Sequence, residues 1–336
     1  MYNNAIVNLI DLKQNALKIK SKLKNTKLCA VVKADAYGHG ACPVANALYP
    51  ICDCYAVALV EEGVGLRQSG IDKEILVLIP PFLGEIERAI NYNLSLTIDS
   101  LKILYYLEKT CEKLNKKCKI HIKFNSGMNR LGVDNLQELQ KILDVCDKLK
   151  MVKVQGFFSH YACPEDKKGF ESATEQFLLA NNLVKGYNKS IVSHISASGG
   201  FIKGAYFDMV RIGIMLYGYT PFECDFSLTP VMKVYSPVVK QREIHKGQNY
   251  LYGNKRLNTT QSASIIRYGY ADGLPRKETK WQLNNRCMDL TMIKGQCKRA
   301  FVPIMTNAGS LAKEYQTIPY EILTKVGMRA QKIYIN

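Results

Sequence analysis

The sequence predicts an α/β protein: an N-terminal (β/α)8 (TIM) barrel followed by a C-terminal, mostly-β domain. Three observations carry this. Eight short apolar runs alternate with helix-period segments over about 210 residues, the strand count of a closed barrel. No G-x-G-x-x-G follows the first run, where a doubly wound sheet would usually show one. Near Thr220 prolines and strand-like alternation replace the repeating pattern.

The strand-like runs are Leu28–Val32, Tyr55–Ala58, Ile75–Ile79, Leu94–Ile98, Lys119–Phe124, Val152–Phe158, Ile191–Ile195 and Phe207–Ile212. Helix-period segments such as Ser100–Leu114, Asp134–Leu149 and Ser172–Lys185 lie between them, with start signals at Asp99-Ser100 and at Asp134. Buried strands alternating with helices imply parallel pairing through right-handed crossovers. The expected domains are a barrel over 11–221 and a β domain over 222–336, to which the opening strand within 1–10 is assigned. The β runs are Val231–Tyr235, Val238–Ile244, Ser262–Tyr268, Asp289–Ile293 and Ala300–Met305, and helical period is almost absent there.

Composition narrows the function classes. Apolar residues make up 47% and charged residues 22% of the 336, an ordinary globular balance. The longest stretch without Asp, Glu, Lys or Arg, Ala36 to Cys52, holds Gly38, Gly40, Pro43 and Pro50, so no membrane span is expected. The beginning, Met1-Tyr2-Asn3-Asn4, shows no basic region ahead of an apolar stretch, and no signal peptide is expected. The net charge of +17 comes from scattered lysines, as in Lys18–Lys24, without a nucleic-acid signature, so no nucleic-acid partner is expected. Eleven cysteines without zinc spacing read as reduced thiols in a cytoplasmic setting, and no metal site is expected.

Barrel enzymes carry their chemistry at the carboxyl ends of the strands. Lys33 stands at the first such end, in Val31-Val32-Lys33-Ala34-Asp35-Ala36-Tyr37-Gly38-His39-Gly40. A lysine there is partly desolvated, which lowers its pKa and suits an amine that attacks an aldehyde and moves protons. On position alone it also fits a lysine that snorkels from a strand end. The ten residues resemble, over their full length, the cofactor-lysine signature of the alanine racemase family of pyridoxal-phosphate enzymes. Related barrels share only a looser K-A-x-A-Y-G core.

The resemblance runs from Val31 to Tyr320 and implies a role for each matching residue. Lys33 would hold pyridoxal 5'-phosphate and act as one catalytic base. Ile120–Gly132 is similar to the substrate-carboxylate segment, which makes Arg130 the carboxylate-gripping residue. In many members the lysine matching Lys123 is carbamylated and orients that arginine; here Asn125 stands where Asp is usual. Arg211, in Arg211-Ile212-Gly213-Ile214-Met215-Leu216-Tyr217-Gly218, would face the pyridine nitrogen, and His160 would contact that arginine. His194–Gly200 resembles the phosphate loop, with Ser198 donating and Ala197 where most members have Asn. Gly213 and Ile214 would add amides, and Tyr37 and Tyr320 hydroxyls. Tyr250-Leu251-Tyr252-Gly253 resembles the catalytic-tyrosine segment, so Tyr252 would be the second base. Tyr270 would narrow the substrate entrance and the Met288 amide would contact the substrate carboxylate.

In this family the β domain of one subunit covers the barrel of its partner, so a homodimer with shared sites is implied. The implied activity is interconversion of L- and D-alanine, supplying D-alanine for peptidoglycan synthesis. The competing readings are a racemase for serine or basic amino acids, a related decarboxylase, or a non-catalytic carrier of the same cofactor, which would usually lack a β domain. The chain is somewhat short for the family, which implies trimmed loops.

Overall fold

A computed structural model describes residues 2–277, 279 and 281–336; Met1, Glu278 and Lys280, which fall within the segments assigned to the β domain, lie outside the described residues. The chain forms two compact units. One comprises Leu12–Ala36 and Ala41–Thr229; the other comprises the chain up to Asp11, Tyr37–Gly40 and Pro230–Asn336.

The opening strand β1 (Asn4–Asn8) belongs to the second unit. The first unit is the barrel. Its strands are β2 (Lys27–Val31), β3 (Cys54–Val57), β4 (Ile75–Val77), β5 (Ser95–Ile98), β6 (Cys118–Lys123), β7 (Val152–Phe158), β8 (Val192–His194) and β9 (Met209–Ile212). They pair in parallel in the order β8-β7-β6-β5-β4-β3-β2-β9. The ring is nearly closed: at its seam the Asp208 and Arg211 amides donate to the Ser193 and Ser196 carbonyls, at 3.0 and 2.9 Å. All residues of β3, β4, β5 and β9 are buried, as strands covered on both faces require.

The outer helices follow their apolar stripes. Leu101–Leu114 buries Leu104, Leu107 and Cys111 and ends at Asn115 in a left-handed conformation. Leu136–Cys146 is capped by Asn135, whose side chain accepts from the Glu138 amide. Asp134, where the sequence placed the start, instead accepts from Asn125. Lys167–Tyr187 begins earlier than its apolar period, because Asp166 caps it through the Gly169 amide. Among the described residues no helix is long and apolar enough to cross a membrane.

The second unit is built on one mixed sheet. Its further strands are β10 (Met232–Ile244), β11 (Gln261–Ile266), β12 (Thr291–Lys294), β13 (Phe301–Met305) and β14 (Gln331–Ile335). The order is β12-β11-β10-β1-β14, with β13 also paired to β10. The two runs read around Pro237 are one continuous strand, and register shifts at Val234/Tyr235 and Val238/Lys240 accommodate the missing donor. Two helices, Ala308–Tyr315 and Pro319–Val326, stand where the sequence reads as almost without helical period. Each spans only about two turns, so its stripe is short: Ala308 and Ala312 in the first, Ile322, Leu323 and Val326 in the second. Asn307 caps the first, and Pro319 opens the second.

Candidate active site

Lys33 follows β2 after one residue, Val32, and the chain then makes a left-handed turn. Ala34, Asp35, Ala36 and Tyr37 have φ between 51° and 54°. Four consecutive non-glycine residues in that region cost roughly 1–2 kcal/mol each, so surrounding bonds must hold them. Glu62 accepts from the Ala34 amide at 2.6 Å, and Asp35 accepts from the Ala41 amide at 2.7 Å. The same Glu62 carboxylate accepts from the Ala58 and Leu59 amides and so ties the turn to the end of β3.

Lys33 stands among cations. Burial, and then the charge of Arg130, lowers its amine below the ordinary lysine value; Glu62 opposes this and Arg211 adds to it. Lys123 ends β6. Burial, then Arg211 and Arg130, brings its amine down to about 8 against the pull of Asp99. Burial raises the Asp99 carboxyl, and the Gly132 amide and Lys123 hold it back. The Phe158 ring lies 5.4 Å from the Lys123 amine and 5.1 Å from the Arg211 guanidinium, a cation–π pairing for both. Arg130 is exposed on the loop after β6. That loop is organised by Asn125, whose side chain accepts from the Gly127 and Asn129 amides and donates to Asn129 and Asp134.

Arg211 is buried in β9, and its Nη groups are fully engaged. Nη1 donates to the His194 ring at 2.5 Å and to the His194 carbonyl; Nη2 donates to the Ser159 and Ile195 carbonyls and lies 3.4 Å from His160 Nδ1. Its Nε–H has no protein acceptor among the described residues. Burial lowers the guanidinium to about 10, still far above neutrality, so it stays charged. Burial, and then Arg211, takes His160 down to about 3, which keeps it a neutral acceptor. Asp208, three residues before Arg211, accepts from Lys185 and the Ser193 amide.

Ser198 opens the short helix Ser198–Ile202, with Ala197 at the N-cap offering no side-chain acceptor to its first amides. Gly213 and Ile214 follow β9 and accept from the Leu216 and Tyr217 amides. These residues, with Lys33, Lys123, Arg130 and His160, form the barrel set.

The other unit holds the remaining site residues. Tyr37 and Tyr320 have ring centroids 6.0 Å apart. Burial raises both phenols, Tyr320 to about 12, so each keeps its hydroxyl hydrogen as a donor. Tyr270 and Met288 lie on adjoining segments: the Met288 carbonyl accepts from Ala271, and the Cys287 carbonyl accepts from Tyr270. A β-carbon at Gly269 would stand 2.0 Å from the Met288 oxygen, so only glycine permits that approach. Tyr252 is linked to the same region by Asn284, which donates to its carbonyl. Tyr252 is 70% and Met288 55% exposed.

Sequence reasoning missed Glu62, Asp99, Phe158 and His194 as parts of this arrangement. Phe158 and His194 end strands and Asp99 follows one, which is a signal that could have found them; Glu62 carries none.

The comparisons agree over the whole length. The alanine racemase N-terminal domain model matches residues 7–221, and the C-terminal domain model matches residues 231–334. The alanine racemase of Clostridium novyi is 34% identical, over 98% of this chain and 95% of that one. That of Treponema denticola is 31% identical, over 99% and 98%. The solved structure of the Clostridium difficile alanine racemase superposes with a TM-score of 0.94, at 29% identity over 100% of this chain and 96% of that one. With both domain models matched in order and relatives aligned end to end, the chain belongs to the alanine racemase family.

Proposed function

We propose that this chain is a pyridoxal-phosphate-dependent alanine racemase that interconverts L- and D-alanine by a two-base mechanism and supplies D-alanine for peptidoglycan synthesis. The observation that carries the reading is Lys33: an amine lowered by burial, fixed by a strained left-handed turn, beside Arg211 and Arg130.

The residues fit the cofactor. Lys33 offers an amine for its aldehyde, and Arg211 keeps one unclaimed N–H for a ring acceptor. The start of the Ser198 helix offers amides without a side-chain cap for its phosphate, together with Gly213 and Ile214, and Tyr37 and Tyr320 offer hydroxyls. When bound, the cofactor would draw electron density from the α-carbon and make its hydrogen acidic.

The protein's own part then follows. Arg130 would grip the substrate carboxylate, joined by the Met288 amide, with Tyr270 narrowing the entrance. Arginine cannot release its proton, so Arg211 would keep a ring nitrogen unprotonated and limit electron withdrawal, which favours plain loss and return of a proton over side reactions. His160, neutral, would accept from Arg211. Racemisation takes a proton from one face and returns it to the other, so two bases are needed. Lys33 would serve the D-enantiomer and Tyr252 the L-enantiomer. Lys123, with an amine near 8, is suited to carbamylation and would then orient Arg130. The exposure of Tyr252, Tyr270 and Met288 supports a homodimer in which these side chains complete the partner's site.

Chiral chromatography of products across several amino acids tests the assignment. Alanine should racemise fastest. Carbon dioxide release, or serine or lysine as the best substrate, would overturn it.

A further inference from the structure

A line of hydrogen bonds runs through the barrel interior, from a partly exposed carboxylate to two buried imidazoles and a buried guanidinium. Glu74, immediately before β4 at the amino-terminal end of the strands, lies 3.2 Å from His121 Nε2. His121 Nδ1 lies 2.8 Å from His194 Nε2. His194 Nδ1 lies 2.5 Å from Nη1 of Arg211. Both imidazoles are at most 2% exposed. We propose that Glu74 is a positioning residue for the reaction: through His121 and His194 it fixes which nitrogen of each ring carries hydrogen, and so holds Arg211 as a charged donor at the far end.

The argument is one of donors and acceptors. Arg211 only donates, so His194 Nδ1 must accept and the His194 hydrogen sits on Nε2. That hydrogen points at His121 Nδ1, which must therefore accept, leaving the His121 hydrogen on Nε2. An acceptor is then required at the end of the line, and Glu74 supplies it. A doubly protonated His121 would donate at both ends and drive hydrogen onto His194 Nδ1, against the guanidinium, so both rings must be neutral.

Two further observations agree. Burial alone would raise the Glu74 carboxyl, but hydrogen bonds from His121 and from the Ser95 hydroxyl favour its ionised form and lower it. Burial, and then Arg211, pushes His194 well below the ordinary histidine value. Among the described residues the acceptors of Arg211 are neutral rings and carbonyls, so the negative charge of this network sits two imidazoles away. Arg211 cannot pass a proton on, so the line orients and polarises; it does not conduct.

This inference rests on the role proposed for Arg211, and the test separates the two. Glu74→Leu and Glu74→Gln are made in the full-length holoenzyme. Imidazole nitrogen NMR shifts of His121 and His194 are read beside kcat and KM for alanine. In the wild type both rings should be neutral with hydrogen on Nε2. Glu74→Leu should disperse the His121 signature and lower kcat roughly tenfold with KM little changed, as for one lost network hydrogen bond. Glu74→Gln, which keeps an acceptor oxygen, should restore the signature and most of the lost turnover. Hydrogen on Nδ1 of either ring in the wild type, or wild-type shifts and kcat in a folded Glu74→Leu, overturns the proposal. The wild-type spectrum decides even if Glu74→Leu does not fold. A wild type that does not racemise alanine would refute the proposed function, while the shifts would still judge the line.

Discussion

Gly156 on β7 leaves the space that the His121 ring of β6 fills: a β-carbon at 156 would stand 2.2 Å from His121 Nδ1. The register of β6 against β7 shifts at this point, so that Gly156, not its neighbour, faces His121. The ring cannot move aside cheaply, because both its nitrogens are engaged and it packs edge-on against His194. Gly156→Ala should therefore cost about 1–3 kcal/mol, the usual penalty of an overpacked core. A lower midpoint of thermal unfolding checks this. An unchanged midpoint would mean that the ring is free to shift.

Lys33→Ala should remove covalent attachment of the cofactor. Borohydride reduction of the wild type loaded with pyridoxal phosphate should label one peptide containing Lys33, and the variant should take up no label there. Label on another lysine, with Lys33 untouched, would refute the assignment. The lowered amine makes the reaction favourable near neutrality, because more of it is unprotonated than in an ordinary lysine.

Tyr252→Phe removes one of two proposed proton carriers and should leave the other. Racemisation should fall by about a hundredfold or more, in the range expected for loss of an acid–base group. Exchange of the α-hydrogen of D-alanine with deuterated water should persist, since Lys33 works on that face, whereas exchange from L-alanine should fall with racemisation. Equal losses from both enantiomers would contradict the division of labour. Cofactor absorbance should be unchanged, because the variant keeps Lys33.

The barrel was legible because several of its strands are apolar on both faces, so that Tyr55–Ala58 or Ile75–Ile79 stands out as a short run between polar turns. Lys33 drew notice as the residue closing an apolar run, whereas the roles expected of Lys33 and Arg211 came from the resemblance of their segments. The left-handed turn was not: Ala34, Ala36 and Tyr37 disfavour positive φ, and a distant carboxylate, Glu62, helps impose it. The Glu74–His121–His194 line was invisible too. Its members are 47 and 73 positions apart, and only barrel closure brings them together. The helices after residue 307 escaped through their brevity, although Asn307, Pro319 and Gly327 mark their ends.

Lys123 gives a pH dependence whose sign can be worked out. In the native chain its amine sits at about 8, against an ordinary 10.5. Between these values the unfolded chain binds more protons, so stability rises with pH from about 8 to 10.5. Below about 8 the penalty of a buried charge beside Arg211 is fully present. In buffer free of carbon dioxide, Lys123→Met should thus be more stable than wild type at pH 7, by a margin that fades as pH climbs through this window. Carbon dioxide should reverse the order. The neutral amine adds it and releases a proton, and the resulting carbamate is an anion among Arg211 and Arg130. Bicarbonate should then raise the melting temperature of the wild type but not of Lys123→Met, and carbon-13 bicarbonate should give a carbamate resonance only in the wild type. A wild type indifferent to bicarbonate at pH 8 would show that the amine stays free, leaving Arg130 to be oriented by the loop that Asn125 organises.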